Sequence, residues 1–321
     1  MDAATYGYFL YGLSLLTMGG LYAVLTLGLN LQWGMAGMLN VGVAGFFAIG
    51  AYVSAILTTP LSDSHLGGYA LPVPVGLVAA MLISAALAWG VGRLCVGLRA
   101  DYLAIATIGI GEIIRLVFKN EIWATNGARG ISRVPRPFET WPEPWNQIAF
   151  AVLVLLIVVL IYVALERAYR SPWGRAMLAI RDSEGAARAI GKNVERYRMQ
   201  AFVLGCAVMG LGGALFAHYV KIITPQTTEP LATTFLVWVM LIAGGAGNNR
   251  GAILGAFLLW VIWSGTEILA GFLPSELSTR MSYIRVFLIG LFLQIVLQRF
   301  RGGLLPETHR PVRLDAEPGR R

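Results

Sequence analysis

Apolar residues run along this chain in long blocks, without the strict alternation of half-buried strands or the single apolar stripe of a surface helix. No charge interrupts residues 3–62. A membrane-spanning helix needs ~20 apolar residues, and nine stretches come close to or exceed that: Tyr8 to Leu29, Ala36 to Leu57, Leu71 to Val91, 102–118, Ile148 to Leu165, Met199 to Val220, Thr233 to Gly247, Ala252 to Leu273 and Ser282 to Gln298. The pattern predicts an all-α integral membrane protein, a bundle of about nine transmembrane helices (8–10) over residues 1–299. The polar patch Asn30-Leu-Gln-Trp-Gly34 parts the first two runs, so a re-entrant or broken helix is expected near 30–40, where such backbone can line a cavity.

Lys and Arg concentrate in cytoplasmic loops, and their distribution orients the set. Residues 167–198 hold Arg167, Arg170, Arg175, Arg181, Arg188, Lys192, Arg196 and Arg198, and six more basic residues follow from Arg299. Four runs lie between these clusters, an even number, so both fall on one side. Counting outward puts the N-terminus outside, the C-terminus inside, and 17 of the 25 basic residues on the inner face. Residues 300–321 read as a basic, disordered cytoplasmic tail.

Two loops differ in character. The outer loop 120–146 carries Pro135, Pro137, Pro142 and Pro144 with Trp123, Trp141 and Trp145, too proline-rich for a long helix and suited to the headgroup layer. The inner loop 167–198 reads as two short helices, with Asp182 or Ser183 as N-cap of the second and Gly191 as its stop. Gly205 and Gly213, with Ala201 and Ala217, and the series Gly247, Gly251 and Gly255 place small residues at the four-residue spacing that lets helices approach closely in lipid.

Composition agrees: 57% of the 321 residues are hydrophobic, 38 are glycine and 13% are charged, about half the ~25% charge of a soluble chain. The net charge of +8 raises nucleic-acid binding, but the basic residues fall in bursts between apolar runs, which excludes it. The N-terminus lacks the basic region of a signal peptide, so the first run reads as a retained span. Cys95 and Cys206 read as buried hydrophobes. His65, His218 and His309 are isolated, and no metal site is indicated. The one Gly-Lys pair, Gly191-Lys192, lacks the rest of a P-loop, and no hydrolase or metalloprotease motif appears. The chain is read as no enzyme.

Five segments then carry a resemblance: Asn40-Val-Gly-Val-Ala-Gly-Phe-Phe-Ala-Ile-Gly-Ala-Tyr52; Leu98-Arg-Ala-Asp-Tyr-Leu-Ala-Ile-Ala-Thr-Ile-Gly-Ile-Gly-Glu-Ile-Ile-Arg115; Asn126-Gly-Ala-Arg-Gly-Ile131; Gly174-Arg-Ala-Met-Leu-Ala-Ile-Arg-Asp-Ser-Glu184, running on to Gly191; and Gly244-Gly-Ala-Gly247 with Gly251-Ala-Ile-Leu-Gly255. In this order, over residues 20–300, they resemble the inner-membrane permease subunits of branched-chain amino acid ABC importers, the LivM-type branch of the LivH/LivM family most of all. The resemblance implies a bacterial inner-membrane protein that moves branched-chain or related amino acids with a second homologous permease subunit (a heterodimer), two ABC ATPase subunits and an external substrate-binding protein. ATP and Mg would sit in the ATPase partners, leaving this chain with no cofactor of its own.

The loop 167–198 is similar to the EAA loop by which such permeases dock on the ATPase. Ala186, Ala187 and Gly191 match it, while Gly185 stands where the motif has Glu and Glu184 is one position early. Arg181, Glu184, Arg188 and Lys192 are the expected charged members of this surface. Glu112 and Arg115 share one face at i, i+3 and are read either as an ion pair that locks packing or gates the path, or as contacts to a zwitterionic amino acid. Asn30, Asn40, Tyr52 and Thr107 are the candidate path-lining groups, each equally suited to a hydrogen bond between helices. Two alternatives stay open: a relative importing urea, short amides or another small organic solute, and an ion-coupled secondary transporter using Glu112 or Glu267.

Overall fold

Without charge or proline, the first apolar block can continue helically past the length of a bilayer, and it does. Helix α1 spans Ala3–Asn30 and runs on as a π-helical turn, Leu31–Met35. The computed structural model describes residues 3–62, 65–271, 281–300 and 302–307, the side chains at 3–4, 230–232, 267, 269–271 and 281–283 excepted. Further helices are α2 (Val43–Thr58), α3 (Val73–Cys95), α4 (Ala100–Asn120), α5 (Ile122–Thr125), α6 (Trp145–Arg170), α7 (Pro172–Asp182), α8 (Glu184–Ala189), α9 (Val194–Val220), α10 (Pro230–Gly244), α11 (Asn249–Gly271) and α12 (Met281–Arg299). A helix covers most of the described part of each apolar run. Four helices among the described residues are long and apolar enough to cross a membrane, namely α1 with its π turn, α3, α6 and α9; α2 and Thr233–Gly244 are shorter apolar helices.

Helices α1, α2 and α9 form the centre. Helix α9 packs on α1, α2 and α3, and α1 also meets α6 and α11. Backbones come very close here because glycine faces backbone. A Cβ on Gly50 would sit 1.8 Å from the Gly210 carbonyl oxygen, and one on Gly213 would sit 1.9 Å from that of Phe47. The outer helices turn apolar side chains outward instead. Leu82 and Leu87 on α3, Ile105 and Ile113 on α4, and Val159 and Leu160 on α6 are exposed, as expected where lipid replaces water.

The first helix breaks later than its polar patch suggests. Asn30 to Met35 remain helical, and the chain leaves the helix at residues 36–42, with Gly37 at φ +65°. At ~1.5 Å per residue α2 covers only ~24 Å, less than the ~30 Å hydrocarbon core.

Opposite ends of the bundle are fixed by different devices. At one end the loop 167–198 meets residues 302–307 beyond α12; of the basic residues from Arg299 onward, Arg299 alone lies among the described residues. Residues 302–307 of the tail are bonded to the bundle, and residues 301 and 308–321 lie outside the described residues. Leu304 and Leu305 donate their amides to the Ala243 and Gly244 carbonyls at 2.9 Å each. These bonds and the glycines of the α10–α11 turn fix the segment, and nothing in its composition signals them. At the other end the outer loop forms α5, a 3₁₀ turn Gly127–Arg129 and a two-residue strand β1 (Ile131–Ser132), which pairs antiparallel with β2 (Ile222–Ile223) just beyond α9. An all-α reading misses this ribbon. Asn126 and Gly130 adopt positive φ to make the turn, and a Cβ on Gly130 would meet the Ile223 carbonyl oxygen at 1.9 Å.

Candidate functional site

The break between α1 and α2 strips backbone groups of helical partners inside the bundle, where each unmet group costs ~1–3 kcal/mol. Side chains from four elements supply the bonds. Asn40 Oδ1 accepts the Gly42 amide at 2.8 Å, Thr107 Oγ1 of α4 accepts that of Val41 at 3.0 Å, and Thr234 Oγ1 of α10 accepts that of Ala44 at 3.2 Å. Trp238 Nε1 donates to the Asn40 carbonyl at 3.1 Å. Gln32, on the π turn, accepts from Asn40 Nδ2 at 2.8 Å and donates to the Phe202 carbonyl of α9 at 2.8 Å. Asn30 donates to Asn249 Oδ1 at 2.9 Å and accepts the Gly247 amide at 2.8 Å.

Asn40 and Thr107 are therefore brought together as braces of the break, while Asn30 ties the end of α1 to the α10–α11 turn; all three are buried. Tyr52 lies apart from them, buried and stacked on Phe118 with ring centroids 4.3 Å apart, and its hydroxyl has no hydrogen-bond partner among the described residues. Gln32, Thr234, Trp238 and Asn249 are the members that motif reasoning passed over. Gln32 had a signal, its place in the patch after Asn30; the others had none beyond being polar in apolar runs.

Glu112 and Arg115 pair with each other. Arg115 Nε donates to Glu112 Oε2 at 2.9 Å and its Nη2 to Oε1. The pair sits in the C-terminal half of α4 and stays partly open, Glu112 at 40% side-chain exposure and Arg115 at 22%. Glu267 falls on α11, its side chain outside the described residues.

The loop 167–198 folds as two short helices. Ser171 caps α7 by accepting the Gly174 amide at 3.3 Å, and Ser183, not Asp182, caps α8 by accepting the Ala186 amide at 3.4 Å. Gly191 ends the turn at φ +78°. Ala187 points inward to a small cluster with Ile180 and Val194, while Gly185, Ala186, Arg188, Ile190 and Lys192 are exposed. Glu184 is tied down by Arg188 at 2.8 Å and Arg198 at 2.9 Å.

Arg181 departs from its expected place on the outward surface. Its guanidinium turns inward, donates to the Gly34 carbonyl of the π turn, pairs with Glu307 Oε2 at 3.0 Å and reaches Asp182 at 3.1 Å. Burial alone pulls this guanidinium down, but the hydrogen bond and charge of Glu307, with Asp182, more than offset that and hold it above its ordinary value.

Among the glycines expected at helix contacts, a Cβ added to Gly205 would lie 2.6 Å from the Gln32 side chain, one on Gly213 1.9 Å from the Phe47 carbonyl oxygen, one on Gly251 2.7 Å from that of Gly244 and one on Gly255 2.0 Å from that of Met240. Gly247 is a correction: it lies in the α10–α11 turn at φ +86°, beside Glu307, and serves by donating to Asn30. Cys95 and Cys206 are buried free thiols. His218 is buried between α2 and the outer loop. Its Nδ1 donates to the Pro135 carbonyl at 2.6 Å, so Nε2 accepts from Ser54 at 2.8 Å.

Residues 11–297 match the branched-chain amino acid transport system permease component family. The chain is 34% identical to the high-affinity branched-chain amino acid transport system permease protein LivM of Salmonella typhimurium, over 93% of this chain and 71% of that protein. It is 26% identical to the probable branched-chain amino acid transport permease protein LivM of Methanocaldococcus jannaschii, over 90% and 91%. Identity to the LivH permease protein of Salmonella typhimurium is 24% over 85% and 89%. No solved structure matches the chain.

Proposed function

The chain belongs to the branched-chain amino acid transport permease family, and on that premise we propose that it is the membrane permease subunit of an ATP-driven importer of branched-chain or related amino acids. The observation that carries this reading is the loop 167–198: a capped helix pair, anchored inward by Ala187, that holds out a small surface of Ala186, Arg188, Ile190 and Lys192. An exposed isoleucine on a basic loop is suited to a partner protein with an apolar cleft and an acidic rim.

The assembly holds two permease subunits, this chain and a homologous second one, two ABC ATPases that bind ATP and Mg, and an external binding protein that selects the solute. Nucleic acid has no part in it. In the bacterial inner membrane the N-terminus lies outside and the 167–198 loop and tail lie in the cytoplasm, with about nine spans; the bias of basic residues supports this orientation.

Glu112 and Arg115 support a further assignment. A half-open ion pair within a span is costly against hydrocarbon, ~2–3 kcal/mol per charge by insertion scales, so this face of α4 turns to the second permease and the solute path. Asn40 and Thr107 serve the path by holding the break in shape, Asn30 by tying the end of α1 to the α10–α11 turn, and Tyr52 packs beneath the break. The ion-coupled alternative through Glu112 is disfavoured because Arg115 already neutralises that carboxylate; the side chain of Glu267, its other candidate, lies outside the described residues.

Purification of the tagged chain in mild detergent tests the proposal. Recovery of a P-loop ATPase and a second permease, with uptake that requires ATP, is expected. A solitary chain whose uptake collapses with an ionophore would overturn it.

A further inference from the structure

We propose that Arg181 and the C-terminal segment Gly302–Glu307 form a mechanical link that carries displacement of the α7–α8 pair to the break in α1. The proposal rests on the reading that this pair meets an ATPase.

Four parts of the chain converge at the link. The first is α7, whose last turn supplies Arg181. The second is the π turn ending α1, whose Gly34 carbonyl takes a bond from the guanidinium. A cation here satisfies a carbonyl at the negative end of a helix, so the loop supplies the C-terminal cap of α1. The stem of Arg181 also lies against Gly37, where an added Cβ would approach its Cγ to 3.0 Å. The third is the end of α6, where Tyr169 donates to Glu307 Oε1 at 2.6 Å. The fourth is the α10–α11 turn.

That turn is gripped by the tail. Leu304 and Leu305 donate to Ala243 and Gly244, and Asn248 Nδ2 reaches the Leu305 and Pro306 carbonyls at 3.3 and 3.2 Å. Gly303 and Gly245 touch so closely that a Cβ on Gly303 would lie 2.5 Å from Gly245 Cα. The segment thus delivers one carboxylate, Glu307, to Arg181, and both side chains are about one-fifth exposed.

Beyond Gly34 the contacts continue into the core. Asn30 Oδ1 lies where a Gly34 Cβ would be and holds the Gly247 amide. Gln32, two residues before Gly34, carries Asn40, which holds the Gly42 amide at the N-cap of α2. A shift of α7 must therefore either move the π turn or break the Arg181 cap. Arg181 and Glu307 are positioning residues: neither needs to touch solute or nucleotide.

The test uses the assembled transporter in proteoliposomes, with ATP hydrolysis and uptake measured on the same sample. Three variants are compared: Arg181→Gln, Glu307→Gln, and a chain ending at Pro306. Expected is retention of the ATPase subunits and of hydrolysis, with uptake per ATP lowered on the order of tenfold. Arg181→Lys, which keeps the charge, should recover part of the loss. Should Arg181→Gln fail to assemble, the Glu307→Gln and truncated chains carry the test alone. Wild-type uptake per ATP in those two would overturn the link while leaving the permease assignment intact; failure of the unmodified chain to hold an ATPase would overturn that assignment instead.

Discussion

Asn30 on α1 and Gly247 in the α10–α11 turn, 217 positions apart in sequence, are joined by a 2.8 Å bond from the glycine amide to the asparagine oxygen. The same side chain donates to Asn249, so one residue closes the amide of the turn and the start of α11. Asn30→Leu is of similar size and removes both bonds. It should lower stability by about 1–3 kcal/mol for each group left unmet, read as a lower thermal midpoint in detergent. An unchanged midpoint would mean that water or another residue takes over.

Gly213→Ala should be far worse than its one added carbon suggests. The new Cβ meets the Phe47 carbonyl oxygen, a backbone atom that cannot rotate away, so α2 and α9 must separate at a cost of ~1–3 kcal/mol or more. Gly185→Ala is the control, since nothing lies within 4 Å of it and alanine favours the helix by up to ~1 kcal/mol. Yields of folded protein should split the two; equal yields would refute the packing argument.

Removing one member of the Glu112–Arg115 pair should harm the chain more than removing both. Arg115→Ala leaves a lone carboxylate on α4, a span in the proposed topology, costing ~2–3 kcal/mol, whereas Glu112→Gln with Arg115→Gln leaves no charge. A double-mutant cycle on thermal midpoints reads the difference, and additive losses would show that the charges act separately.

The outer loop has a small acid-sensitive fastening. Lys221 donates to Glu139 at 2.5 Å, and this bond, opposed by partial desolvation and aided by the Arg136 amide and charge, holds the Glu139 carboxyl below its ordinary value. A depressed folded value stabilises above the unfolded value and is lost as pH falls through the folded one. Both groups are about half exposed, so the gain is under ~1 kcal/mol. The midpoint difference between wild type and Glu139→Gln should be present at neutral pH and vanish below the ordinary carboxylate range. A difference that grows on acidification would contradict this origin.

Ile190 offers a sharper probe of the loop than any charge there, because it stands 70% exposed beside Gly191. Ile190→Asp should weaken recovery of the ATPase and lower uptake while membrane insertion is unchanged. Deleting 185–191 should abolish uptake with the chain still inserted, and normal uptake in that deletion would sink the docking role.

Much of the architecture was written into local composition. Apolar runs gave every long helix, because in lipid a backbone has no alternative to internal bonding. Ser183 and Gly191 mark ends that depend on a few neighbouring atoms. Bonds made across the fold were not legible in that way. Thr234 and Trp238 look like ordinary members of an apolar helix, and only the meeting of α10 with residues 40–44 gives them work. Arg181 shows the limit most clearly. Its motif and charge suggested an outward surface, but its direction is set by Glu307, more than a hundred residues later in a tail whose composition suggested disorder.

The β1–β2 ribbon changes what α9 can do. Val194–Val220, ~40 Å long at 1.5 Å per residue, begins directly after the α8 turn and ends two residues from the Ile131↔Ile223 pairing. It contains no proline and no break, whereas the path from α1 to α2 has a joint at residues 36–42. One unbroken shaft thus ties the α8 turn to the ribbon at the far end of the bundle, beside a neighbour that is jointed.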